Sequence, residues 1–191
     1  LDADLKEGMG EQRFLVDDEK NIGYTMKVER NKDGEIKESQ LLSFKTGKKA
    51  DGKCSVVAED VDVMMGAKDG DIYYLTDMDE GMGDLYCNEE LIDSDVMIGT
   101  LEFTKEQKYP IYKTDYNTSK NLFTLKMFDG KNAKVIADDA FDYKVVDEKK
   151  IAVLVDYDDD DSTGTLKLYR GKDKLIELDD DVICLFGGMY N

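Results

Sequence analysis

From Ile22 onward the chain is written in short runs in which β-branched, aromatic and aliphatic residues alternate with polar ones. Gly, Asp, Asn and Lys clusters separate the runs. Alternation with a period of two places successive side chains on opposite faces of a strand, so each run predicts a half-buried β-strand bounded by turns. Leu122 to Phe128 shows it well: Leu122, Thr124 and Lys126 fall on one face, and Phe123, Leu125 and Met127 on the other. The "DGKN" that follows from Asp129 predicts a tight hairpin turn, because Asp-Gly supplies the positive φ that such turns need. Strands are expected at Ile111 to Tyr116, Leu122 to Phe128, Ala133 to Ala137 and Phe141 to Val146. The best helical signal, "NEELIDSD" from Asn88, falls where a turn and a strand are required. Pro110 sits at a strand entrance, where its missing N–H costs no ladder bond.

The runs repeat. "TLKLYRGKDKLIELDDDV" from Thr165 aligns without a gap with "TLKMFDGKNAKVIADDAF" from Thr124. The strand runs "IGYTMKV", "IYYLTDM", "IYKTDY" and "IAVLVDY" begin at Ile22, Ile72, Ile111 and Ile151, so they are 50, 39 and 40 residues apart. A second run ends in a turn: "LSFKTG" from Leu42, "LKMFDG" from Leu125, "LKLYRG" from Leu166 and a shortened "LYCNEEL" from Leu85. An acidic anchor then recurs as "EDV", "SDV", "DDA" and "DDV", carrying Asp60, Asp95, Asp139 and Asp181. Each anchor Asp is expected to bond to backbone N–H groups of its own turn. Units of four short strands at 21–68, 69–107, 108–149 and 150–188 predict an all-β protein, a β-propeller-like array of antiparallel blades within a single domain. The leading segment 1–20 reads as the end of a preceding blade or a ring-closing strand, since "FLVDDEKNIGYT" from Phe14 aligns with "KVVDEKKIAVLV" from Lys144. On this reading the chain is part of a longer propeller or a closed four-blade ring, and an unclosed arc would leave blade faces open to self-association.

The pattern "DGDIYYLTD…GDLY…ELIDSDV" resembles the repeats of propeller domains in bacterial cell-surface and periplasmic proteins, of the TolB-like or WD-repeat-like kind. The resemblance covers nearly the whole chain from Ile22. It implies an extracytoplasmic location and a fold that hosts unrelated activities. The absence of Trp removes the Trp-Asp dipeptide of true WD repeats.

Composition narrows the function. The 44 acidic residues against 26 basic ones give a net charge of −18. That sign argues against nucleic acid and anionic lipid, and it fits a cation or a basic partner. There is no histidine, so Ser-His-Asp and Cys-His catalysis are excluded within this chain. Cys54, Cys87 and Cys184 are isolated from one another and form no CxxC pair, so a zinc or redox site is not expected, and at most one disulfide would form. No apolar run reaches the length of a membrane span. Oxygen-rich turns offer calcium candidates: Asp156, Asp158 and Asp160 in "DYDDDDSTG", and Asp77, Asp79 and Asp84 in "DMDEGMGD". Neither turn matches an EF-hand loop, and an exposed turn kept soluble by charge is the plainer reading. Tyr73, Tyr74, Tyr112, Tyr157 and Tyr169 are expected mainly in packing. No catalytic or cofactor-binding residue is assigned. The expected function is a non-enzymatic binding module presenting blade loops to a protein or glycan. The alternatives are a fragment of a propeller enzyme with glycoside-type carboxylate chemistry, and an assembly segment of a larger surface protein.

Overall fold

A computed structural model describes residues 14–171 and 175–185. The opening "LDA" and the closing Gly-rich "GGMYN" lie outside them. The described chain is all-β, with a single 3₁₀ turn at Gly47–Lys49. Fifteen strands form three antiparallel sheets. The first sheet has the order β1 (Phe14–Asp17), β2 (Ile22–Arg30), β3 (Ile36–Lys45) and β4 (Cys54–Glu59). The second holds β5 (Val61–Gly66), β6 (Ile72–Asp79), β7 (Met82–Cys87) and β8 (Glu90–Met97). The third has seven strands: β9 (Glu102–Phe103), β10 (Pro110–Asn117), β11 (Leu122–Phe128), β12 (Ala133–Asp147), β13 (Lys150–Asp158), β14 (Thr163–Tyr169) and β15 (Ile176–Val182). Every neighbour in each sheet is also the neighbour in sequence, so the whole chain is a meander.

The alternation seen in the sequence sets the faces. In β11 the residues Phe123, Leu125 and Met127 are buried, while Leu122, Thr124 and Lys126 are half-exposed. Three clusters join successive layers. One gathers Leu41, Val61, Met64, Ile72 and Tyr74 between the first and second sheets. The next gathers Tyr73, Leu75, Leu85 and Val96 of the second sheet with Tyr112 and Phe128 of the third. The last lies within the seven-stranded sheet, where Ile111, Phe123 and Leu125 from one half meet Ile151, Val153 and Tyr169 from the other.

That sheet packs on itself because β12 bends. Two strands were expected, at 133–137 and 141–146, but the structure has one continuous strand across both. Asp139 adopts φ 47 within it. A left-handed residue inserted in a ladder forms a bulge that bends and twists a strand without ending it. The ladder register slips there against both neighbours, between Phe123 and Leu125 on one side and after Ala140 on the other. Asp60, Asp95 and Asp181 take the same conformation, with φ of 51, 56 and 54. The first two sheets therefore end next to Asp60 and Asp95, one strand before the boundaries drawn on the sequence runs, whereas no sheet boundary falls at Asp139.

The anchors also work differently from the expectation. Among the described residues no turn N–H donates to the carboxylates of Asp60, Asp95, Asp139 or Asp181; their contribution is the backbone angle. Asp and Asn tolerate the left-handed region better than other residues with a Cβ. A second set, Asp77, Asp115 and Asp156, lies at φ 54, 52 and 52 near the ends of β6, β10 and β13, each at a one-residue slip in the ladder.

The first hairpin turns of successive sheets touch one another in order. The β1–β2 turn meets the β5–β6 turn, where Gly70 at φ +85 lies so close to the Asp17 carboxylate that a Cβ would collide with it. Lys68 N donates to Gln107 O at 2.9 Å, linking that turn to the β9–β10 loop. Glu106 N then donates to Glu148 Oε2 at 2.7 Å, and Thr104 Oγ1 bonds the same carboxylate, reaching the β12–β13 turn. Outward apolar residues remain on the terminal strands, with Phe14 on β1 and Leu178 on β15 more than half exposed.

Candidate functional site

The calcium candidates come to separate places. Asp156 is 65% exposed and accepts a bond from Lys167 Nζ at 2.9 Å, so its charge is already paired. Asp158 Oδ1 accepts the Asp160 N–H at 2.8 Å, which closes the turn. Asp77 Oδ2 accepts from Thr76 Oγ1 at 3.0 Å. Asp79 faces Met82 in the ladder, and Asp84 faces Thr76. Among the described residues no three Asp, Glu, Cys or His groups are arranged to hold a metal ion. Millimolar calcium is expected to leave the melting temperature unchanged. A rise that is lost when Asp156 and Asp158 are both changed to Asn would show that these turns do take a cation.

Cys54, Cys87 and Cys184 are free thiols. Cys87 is buried beside the Tyr73 hydroxyl, and burial pushes its pKa up to about 11, so it stays protonated at neutral pH. No helix among the described residues is long and apolar enough to cross a membrane.

Among the described residues a hollow lies between the first and second sheets, bordered at one side by Phe128 and Gly130 of the third. Two connected depressions, of about 580 and 370 Å³, share Val57, Tyr74 and Glu89. One wall is β4, which carries Val57, Ala58 and Glu59. The floor comes from the β6–β7 ladder, in which Tyr74 and Tyr86 are cross-strand partners. Facing residues on adjacent strands are close enough for their rings to meet. Here the rings stack with centroids 5.4 Å apart and planes 5° from parallel.

The end of the hollow is fixed by Asn88 in the β7–β8 turn, at φ 56. Its backbone N–H donates to Ile72 O at 2.7 Å, its Oδ1 accepts the Ile72 N–H at 3.2 Å, and its Nδ2 donates to Asp71 Oδ1 at 3.1 Å. Tyr74 is 3% exposed. Burial, then the nearby Tyr86 and Glu89, push its pKa up to about 12.

A second departure from the repeat lies in the third sheet. Aligned on Asp77, Asp115 and Asp156, the residue two places earlier is Leu75, Lys113 and Leu154. The two leucines are fully buried. Lys113 is half-buried, and its Nζ lies 3.9 Å from the Phe123 ring centroid and 5.4 Å from that of Tyr143. Burial holds its pKa below the usual lysine range. Lys113→Leu restores the repeat and is expected to raise stability at neutral pH by about 1 kcal/mol. The folded state sheds this proton before the unfolded state does, so the parent protein gains stability as the pH rises toward the ordinary lysine value. The gap between parent and variant in urea titrations should therefore narrow between neutral pH and pH 10.

Compared with known protein families and with curated proteins, the chain matches none.

The sequence reading placed Tyr74 among packing residues and passed over Tyr24, Tyr86, Glu59 and Glu89. The visible signal for Tyr74 and Tyr86 was their place in two facing runs. Nothing in either run shows that β4 closes over them.

Proposed function

We propose that this chain is a non-enzymatic binding module, built as a β-propeller-like array, that uses the hollow between its first and second sheets to hold a protein or glycan partner outside the cytoplasm. The observation that carries the binding reading is that hollow: an open groove floored by stacked tyrosines and walled by carboxylates. Pockets of this kind combine aromatic surface with a few polar groups that orient a ligand. Three supports favour the propeller-like arrangement: the forty-residue repeat, the meander topology, and the row of first-hairpin turns that touch in sequence. The resemblance of the repeats to those of cell-surface and periplasmic proteins supports the location.

The test is a screen of the labelled protein against extracytoplasmic proteins and cell-wall glycans at moderate salt, alongside Tyr86→Ala checked for native circular dichroism. Saturable binding that the variant loses is the expected result. Binding that is promiscuous, quenched by salt and unchanged in Tyr86→Ala would overturn the reading.

A further inference from the structure

The chemistry of the groove narrows the partner. Among the described residues its charged walls are Glu59, Asp71, Asp77, Glu89 and Glu90 against the single cation Lys20. Lys20 is already held by Asp17 at 3.3 Å. Asp71 is bonded by Asn88, and Asp77 by Thr76. Glu59 and Glu89 have no cationic partner among the described residues, although both line the groove. The groove thus keeps unneutralised negative charge, in a chain whose net charge is −18.

The wall is also a strand edge. β4 closes the first sheet and pairs only with β3, so the backbone N–H and C=O groups on its other side have no strand partner. Two common protections of an edge are missing, since Cys54 to Glu59 contains neither Pro nor Lys. One bulge near Val57 interrupts the ladder with β3. Val56 stands 53% exposed on this strand.

An extended chain added to a free edge gains main-chain hydrogen bonds along its length, and the side-chain hollows beside that edge then set specificity. Here the adjoining hollow offers carboxylates and the half-buried Tyr86 ring, which attracts ammonium and guanidinium groups. A glycan would use the tyrosines but has no polypeptide main chain, with N–H and C=O groups at strand spacing, to pair with the edge.

We infer that the groove takes an extended, lysine- or arginine-bearing segment of a partner protein, laid alongside β4 with its cationic side chains over Tyr86 and against Glu59 and Glu89. This rests on the binding-module reading and specifies its partner.

Fluorescence polarisation with three labelled probes tests it: an octapeptide alternating Lys and Val, its Glu–Val counterpart, and an N-acetylglucosamine oligosaccharide. The Lys–Val peptide is expected to bind saturably and the Glu–Val peptide not to bind. The exposed pair Glu59→Gln with Glu89→Gln should weaken the Lys–Val peptide by about tenfold. Asp158→Asn with Asp160→Asn removes the same charge outside the groove and should change affinity by less than about twofold. Methylating alternate peptide nitrogens should weaken binding if the edge is used. Equal weakening by the two variant pairs would overturn the inference, because bulk attraction would then explain the binding. Saturable binding of the oligosaccharide without the Lys–Val peptide would overturn the cationic segment and leave the binding module standing. If no probe binds, the inference falls, and the module reading falls with it only when the broader screen also finds no groove-dependent partner.

Discussion

Asp93→Ala is expected to destabilise the protein by about 3 kcal/mol in urea denaturation, the largest loss from any single polar substitution considered. Asp93 lies in β8, at the junction of the second and third sheets. Its carboxylate accepts the Tyr112 hydroxyl at 3.0 Å and binds Lys126 Nζ at 3.2 and 3.0 Å. The Asp93 and Lys126 side chains are only 17% and 19% exposed, and Tyr112 is fully buried. Removing the carboxylate leaves an ammonium and a phenol with no partner in a poorly solvated place, and that unpaired state sets the size of the loss. Burial, with Asp93 beside it, already holds the Tyr112 hydroxyl far above the usual tyrosine range. Asp93→Asn keeps an acceptor and should cost less. Adding Lys126→Met to Asp93→Ala should recover much of the loss, because it removes the orphaned charge. A double variant no more stable than Asp93→Ala would show that the pair does not couple.

A leucine series carries the other large effect. The ladder puts Leu41, not the Leu42 of the sequence alignment, at the same repeat position as Leu85, Leu125 and Leu166: each faces Ala58, Asp93, Ala137 or Asp179, and the register slips by one residue just after it. The first three are fully buried, whereas Leu166 is only half-buried. Leu→Ala in a filled core removes transfer free energy and leaves a cavity, so about 3–5 kcal/mol is expected at 41, 85 and 125. At Leu166 the missing contacts and the easier collapse should hold the loss to about 1 kcal/mol. A loss at Leu166 equal to the other three would mean that its face is covered in solution, and sedimentation at high concentration would then show a larger species.

The fold was legible where it depends on local alternation. The facing sets Leu122/Thr124/Lys126 and Phe123/Leu125/Met127, the turn at Asp129 and Gly130, and the start of β10 at Pro110 all follow from residue type. In that turn Gly130 adopts φ +87, and Asp129 Oδ1 accepts the N–H groups of Lys131 and Asn132. The course of β12 was not legible, because an aspartate between two apolar runs reads equally as a turn or as a bulge. Which it becomes depends on neighbours such as Phe123 and Val155 that lie far away in sequence. The anchors were recognisable as structural from their recurrence, but the backbone angle through which they act leaves no trace in composition. The groove was the least legible part. It needs Val57 and Glu59 brought over Tyr74 and Tyr86, and that contact depends on how two sheets stack. Lys113, by contrast, was open to inspection, since aligning the runs on their aspartates puts a lysine in line with two leucines.

The recurring aspartates act through their left-handed backbone angle and not through the carboxylate. Substituting Asp139 by Gly and by Val separates these roles. Glycine removes the carboxylate but enters the left-handed region freely, while valine cannot do so without strain of about 1–2 kcal/mol or more. The account predicts that Asp139→Gly unfolds in urea within about 1 kcal/mol of the parent while Asp139→Val loses about 2 kcal/mol. Equal losses in the two variants would contradict it, because the carboxylate itself would then be what the repeat preserves.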